Sequence, residues 1–175
     1  SDGDFVASTY ADGILASPES GHRDLLSTVS IRDGEVTTAE VEVSNSVTAA
    51  PEVLALSPDG TTAFVAERLG RRNAGDVRSV DLGAGDRLFA IDVSDPQKPA
   101  IRATATVADM PEAIGVHPVG SHLAVVSNTA DSSLLQLRQW TPDGFGEAVR
   151  FDLAALRVEG SGDGPRGGVT ATNVH

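Results

Sequence analysis

Two glutamates, Glu52 and Glu112, are the residues whose type and spacing most suggest chemistry. They occupy the same place in two copies of one pattern, PEVLALSPDGTTAFVA at 51–66 and PEAIGVHPVGSHLAVV at 111–126. The copies keep one constant offset along their whole length, which is typical of a repeat architecture. Carboxylates at equivalent positions of neighbouring repeats could together hold a divalent cation or a polar ligand, because hard cations prefer oxygen ligands.

Basic and amide side chains follow each copy of the pattern. A long polar loop at 69–86 carries or adjoins four arginines, Arg68, Arg71, Arg72 and Arg78. We therefore predict a ligand-binding site formed by Glu52, Glu112, Arg68, Arg71, Arg72, Asn128 and Asp131. A simpler interpretation stays open, in which the glutamates recur only because the repeat recurs and the arginines offset the local acidity of a solvated loop.

The sequence assigns neither a catalytic residue nor a metal site. It contains no G-x-S-x-G elbow, no phosphate-binding P-loop and no G-x-G-x-x-G after a strand. His117 and His122 flank a turn and are interpreted as turn residues; the remaining histidines are His22 and His175. We therefore expect no cofactor, with a divalent cation as the alternative, and an enzyme is less favoured than a binding protein.

Length and charge narrow the class of protein further. A chain of 175 residues suffices for one domain with a real core. The formal net charge of −12 argues against a nucleic-acid partner, and no apolar run is long enough to span a membrane. The chain has no cysteine, which does not settle its compartment. It begins at Ser1 without a methionine, so we interpret it as a processed or excised product from which a targeting segment was removed, and expect it in the periplasm or extracellular space.

Short apolar runs separated by Gly, Pro, Asp and Asn predict the elements that must position these residues. We expect an all-β fold with three units of four strands each. The predicted strands are 4–10, 14–17, 25–31 and 36–43, then 52–57, 62–67, 87–93 and 100–107, then 112–117, 123–127, 133–140 and 148–153. Four-stranded antiparallel units of this size match the blades of a β-propeller. The first strand of each blade would line the channel, with Glu52 and Glu112 at one channel mouth.

The motifs also resemble a known family. The pattern P-E-x-x-x-x-S-P-D-G-x-x-x-F-V-A is similar to bacterial YVTN-type, lactonase-like seven-bladed propellers, and residues 88–107 resemble the LVIVD-repeat propellers. The resemblance implies that this chain supplies about half of a propeller. We predict one partial propeller domain over 1–175, with blades at 1–46, 47–107 and 108–158 and the start of a fourth at 159–175.

Three functions remain as alternatives. The first is a non-enzymatic propeller segment that binds a ligand or a protein, or acts as a scaffold. The second, implied by the resemblance alone, is a lactonase-like hydrolase whose site needs the missing blades. The third is a structural fragment that self-associates. Because a three-bladed arc leaves apolar sheet faces uncovered, we expect as partner either another copy of the chain or the missing C-terminal half of the propeller.

Overall fold

The all-β prediction is confirmed. The computed structural model describes residues 3–20, 23–45, 51–163 and 165–174. Within these ranges lie one four-residue α-helix, α1 (Thr9–Asp12), several 3-10 turns and ten strands. The strands are β1 (Leu25–Arg32), β2 (Glu35–Glu42), β3 (Leu54–Leu56), β4 (Thr62–Ala66), β5 (Arg87–Asp92), β6 (Ala100–Thr106), β7 (Pro111–Val116), β8 (His122–Asn128), β9 (Ser133–Thr141) and β10 (Gly144–Asp152).

Two four-stranded antiparallel sheets follow the chain order. The middle sheet is β3-β4-β5-β6, and the last sheet is β7-β8-β9-β10. Each strand pairs with its neighbours in sequence, so both sheets are simple up-and-down meanders. The predicted strand order of the second and third units is confirmed. The first strand of the second unit is shorter than predicted, because Pro51–Val53 forms a 3-10 turn before β3.

The prediction of four strands in the first unit is wrong, since only β1 and β2 form strands within its described residues. The predicted strand 4–10 ends in helix α1, and Ile14 makes a single bridge to Arg78 in place of a strand at 14–17. The reason is local: Thr9 Oγ1 donates to the Ile14 carbonyl at 2.6 Å, and Asp12 Oδ1 accepts from the Ile14 N–H at 2.8 Å. Such side-chain bonds satisfy backbone groups within a turn and compete with a strand ladder.

The repeated turn between the first two strands of each sheet forms as predicted. The Gly60 N–H donates to the Ser57 carbonyl at 2.8 Å, and the Gly120 N–H donates to the His117 carbonyl at 2.7 Å. Both glycines adopt positive φ, 70° and 73°, which a residue without Cβ adopts readily. The two turns therefore align β3–β4 with β7–β8 in the same register.

The central strands of the middle sheet, β4 and β5, are buried on both faces. All five residues of β4 are buried, and its four apolar residues alternate between two clusters. One face packs on the last sheet through Phe64, Ala66, Leu88 and Ala90, which meet Ile114, Leu123 and Val125. The other face packs on the β1–β2 hairpin through Ala63, Val65, Phe89 and Ile91, which meet Leu26, Val41 and Val43. The hairpin, the middle sheet and the last sheet are therefore stacked in that order.

Candidate functional site

Arg68 and Glu112 meet between the two four-stranded sheets. Arg68 follows β4, and Glu112 is the second residue of β7. The Arg68 Nε donates to Glu112 Oε2 at 2.9 Å, and the two side chains are 20% and 13% exposed. A mostly buried ion pair of this kind needs both partners, because removing one leaves an uncompensated charge. Two of the predicted site residues are thus brought together, and the pair joins the middle sheet to the last sheet.

Glu52 lies in the 3-10 turn that precedes β3. The turn packs directly against β7, the strand that carries Glu112. The Glu52 Oε1 accepts from the Asn173 side-chain amide at 3.5 Å, while its Oε2 is buried and has no hydrogen-bond partner. A buried carboxylate oxygen without a donor costs free energy, so Glu52 retains one acceptor that no described side chain satisfies.

Asn128 has a structural task in the last sheet. Its Nδ2 donates to the Ala171 carbonyl at 2.7 Å, and its Oδ1 accepts from the Ala171 N–H at 3.1 Å. The offset that relates Pro51 to Pro111 also relates Arg68 to Asn128, and it relates Pro111, the neighbour of Glu112, to Ala171. The same offset carries Glu112 to Thr172, so the Asn128–Ala171 contact lies one residue short of a repeat of Arg68–Glu112, and it joins Asn128 to backbone groups of Ala171. Asp131 is exposed in the turn between β8 and β9.

The structure gives Arg71 and Arg72 partners in the N-terminal region. Arg71 forms an exposed ion pair with Glu42 at 2.9 Å. Arg72 contacts Asp4 at 3.3 Å and donates to the carbonyls of Ala16 and Asp76. These contacts hold the 69–86 loop against the N-terminal residues and line a polar cleft of about 220 Å³. The two arginines thus lie in a second polar region and do not pair with Glu52 or Glu112.

The described residues do not assemble a metal centre. In residues 3–20, 23–45, 51–163 and 165–174, no three His, Asp or Glu side chains come close enough together to hold a metal ion. The rings of His117 and His122 lie 6.5 Å apart across the β7–β8 turn. His22 and His175 lie outside the described residues. A divalent cation at Glu52 and Glu112 would therefore need ligands beyond this cluster.

A second ion pair, with a buried glutamate and a partly exposed arginine, was not predicted from the sequence. The Glu67 side chain is 3% exposed and accepts from Arg87 Nε at 2.8 Å, at the end where β4 and β5 pair. This hydrogen bond raises the pKa of Arg87 above its ordinary value. The signal was present in the sequence, because a β4–β5 hairpin that pairs Ala66 with Leu88 must also place residues 67 and 87 opposite each other.

Comparison with known proteins gives a fold likeness and no family. No family model and no curated protein matches the chain. A functionally unknown protein from Desulfotomaculum acetoxidans matches 71% of this chain at 18% identity with a TM-score of 0.50. A hypothetical selenium-binding protein from Sulfolobus tokodaii matches 71% of it at 10% identity with a TM-score of 0.48. The chain spans about a third of the length of each, since the match covers 34% of both.

The likeness to the Desulfotomaculum acetoxidans protein supports the all-β arrangement alone. No helix of the described residues has the length and apolar character needed to span a membrane, since α1, with four residues, is the longest α-helix among them.

Proposed function

We propose that this protein is a non-enzymatic binding module in which Glu52 receives a basic group of a ligand. The observation that carries the proposal is the buried Glu52 Oε2, which has no donor and lies in a turn that packs against the strand of Glu112. Arg68 already compensates Glu112, so Glu52 is the carboxylate of the two that can accept a new donor. The net charge of −12 favours a cationic ligand, because a strongly acidic surface attracts cations over a distance.

The proposal also includes the propeller arrangement. Two consecutive four-stranded meanders related by a constant sequence offset support it. In such an arrangement the short first strand of each sheet lies nearest the axis. Glu52 and Glu112 then stand at one end of that axis, where a ligand reaches both.

Isothermal titration calorimetry with agmatine tests the binding proposal. Agmatine carries a guanidinium and an amine but no acid group, so it supplies the donors that Glu52 lacks. A hydrogen bond to a charged group contributes about 1.5–3 kcal/mol, so we expect Glu52→Gln to weaken agmatine binding by roughly tenfold or more. A control titration replaces agmatine by sodium chloride at the same ionic strength, so that heat from binding at the site is separated from the effect of charge screening.

The matched control is Glu147→Gln, which removes the same charge from an exposed position on β10. The control should bind agmatine as the native chain does. Equal losses in both variants would mean that only the overall charge matters, and absence of binding to the native chain would refute the proposal directly.

A further inference from the structure

One face of the last sheet resembles the face by which the middle sheet packs on the last sheet. In the middle sheet, Phe64 pairs with Ala90 and Ala66 pairs with Leu88, and all four side chains are buried against the last sheet. The register of the last sheet contains the same positions. Ala124 pairs with Leu137 and Val126 pairs with Leu135, and the repeat aligns Ala124 with Phe64 and Val126 with Ala66. We call these four side chains, Ala124, Val126, Leu135 and Leu137, the outward face.

The described residues cover the outward face unevenly, since Val126 is 4% exposed, Ala124 and Leu135 are half-buried, and Leu137 is exposed. Segment 169–174 lies against its inner edge, where Val169 is buried and Val174 approaches Gly115. A cavity of about 630 Å³ remains between Val174 and the sheet, lined mainly by apolar side chains. Towards β10, Leu137 is 40% exposed and its partner Val149 is 58% exposed. This face therefore has the composition of a sheet interface, and no strand of the described residues lies on it.

The opposite end of the stack presents a complementary apolar surface. The β1–β2 hairpin packs on the middle sheet through Leu26 and Val41. Its other side carries Val29 and the cross-strand pair Ile31 and Val36, each more than 60% exposed. We call these three residues the hairpin face. A two-stranded hairpin with apolar residues on both sides is marginal in water unless a further layer covers it.

We propose that the outward face of one copy binds the hairpin face of a second copy. Within one chain, the middle sheet packs on the hairpin and the last sheet packs on the middle sheet. In the proposed contact, the hairpin of the second copy would pack on the last sheet of the first in the same way. Two different surfaces meet, so the association is heterologous and runs head to tail. This proposal does not depend on agmatine binding at Glu52, because Glu52 lies in the 3-10 turn before β3 and belongs to neither face.

The test is the mass in solution, measured by size-exclusion chromatography with light scattering over a dilution series. The native chain should form dimers and larger species whose proportion rises with concentration. Leu137→Glu places a charge on the outward face, and Ile31→Glu places one on the hairpin face. Burying an unpaired charge is costly, so each variant should weaken association by about tenfold or more. Val80→Glu, at a side chain 80% exposed in the 3-10 turn Ser79–Asp81, is the matched control and should behave as the native chain does.

Mixing the two variants gives the decisive result. Leu137→Glu keeps an intact hairpin face and Ile31→Glu keeps an intact outward face, so an equimolar mixture should form dimers and nothing larger. Circular dichroism establishes that each variant is folded; if Leu137→Glu is not, Val149→Glu probes the same face. A native chain that stays monomeric at every concentration, or a mixture that stays monomeric while the native chain associates, would overturn the proposal. The monomeric result would assign the outward face to a different occupant.

Discussion

The contact between the two four-stranded sheets includes one aromatic cluster, and replacing Phe64 by alanine tests how much it contributes. Phe64 is completely buried in β4 of the middle sheet. Its ring centroid lies 5.1 Å from that of Trp140 at an interplanar angle of 86°, and 6.2 Å from that of Phe145. Trp140 and Phe145 belong to β9 and β10 of the last sheet. Phe64→Ala therefore removes a ring that packs directly between the sheets.

The expected loss follows from the size of the cavity and the loss of ring contacts. Truncating a fully buried Phe to Ala lowers the free energy of unfolding by about 3–5 kcal/mol. Edge-to-face ring pairs contribute roughly 0.5–1.5 kcal/mol beyond their buried area, which favours the upper half of that range. Phe64→Leu keeps most of the apolar volume and should lose about 1–2 kcal/mol. A loss of this size is a large share of a typical domain's total stability of about 5–15 kcal/mol.

The assay is urea unfolding followed by tryptophan fluorescence. Trp140 is the chain's only tryptophan, so its emission reports the packing of this cluster directly. Circular dichroism in the same samples reports the sheets, and coincident transitions justify a single free energy of unfolding. Val80→Ala, on an exposed side chain, serves as the control and should change stability by less than about 0.5 kcal/mol. A loss below about 1 kcal/mol for Phe64→Ala would refute the shared core of the two sheets.

Two further predictions concern local structure. Hydrogen bonds to the Asp59 carboxylate, first from the Ser57 hydroxyl and then from the Thr61 N–H and hydroxyl, hold the pKa of Asp59 below its ordinary value of 3.8. The ionised carboxylate of Asp59 therefore stabilises the fold above pH 3.8, and this stabilisation is lost as the pH falls through the lowered pKa of the folded state. We measure the urea midpoints of the native chain and of Asp59→Asn at a series of acidic pH values, and expect the difference in stability between them to shrink as the pH falls. Gly85→Ala should cost roughly 1–3 kcal/mol in urea unfolding, because its new Cβ would collide with the Glu67 carbonyl oxygen.

Each of these two predictions has a clear contrary result. A constant difference between the native chain and Asp59→Asn across the acid range would show that the turn does not depend on the charge of Asp59. Gly83→Ala is the control for Gly85→Ala, because a Cβ at Gly83 would meet no atom within 4 Å. Similar losses in both glycine variants would mean that the loop tolerates no side chain at all, and the specific clash with Glu67 would be wrong.

Periodicity in the sequence was sufficient for most of the strands. The two copies of the repeated pattern predicted β3–β4 and β7–β8, and the Ser-Pro-Asp-Gly turn predicted where β3 ends and β4 begins. These features are local, because alternation of apolar residues and positive φ at glycine depend on neighbours along the chain. The prediction for the first unit was wrong because other local interactions outweighed its apolar pattern. Its Thr and Asp side chains bond their own backbone, and apolar patterning does not register that competition.

The candidate site was predictable only in part. The repeat placed Glu52 and Glu112 in equivalent positions, and the structure sets them on neighbouring elements. Their different circumstances could not be predicted, since Glu112 is paired with Arg68 while Glu52 retains a buried oxygen without a donor. That difference depends on which side chain from another strand reaches each carboxylate. The arginines of the 69–86 loop show the same limit, because Arg71 and Arg72 turn to partners far earlier in the chain.

The sequence by itself determined the all-β class, the order of strands in two sheets and the repeat that relates them. Tertiary structure alone decided that the hairpin, the middle sheet and the last sheet stack in one direction, and which faces remain uncovered. The physical reason is that strand alternation marks two sides of a sheet but does not say what covers either side. Phe64 and Ala124 occupy the same register position, and only packing makes one wholly buried and leaves the other at the edge of a cavity.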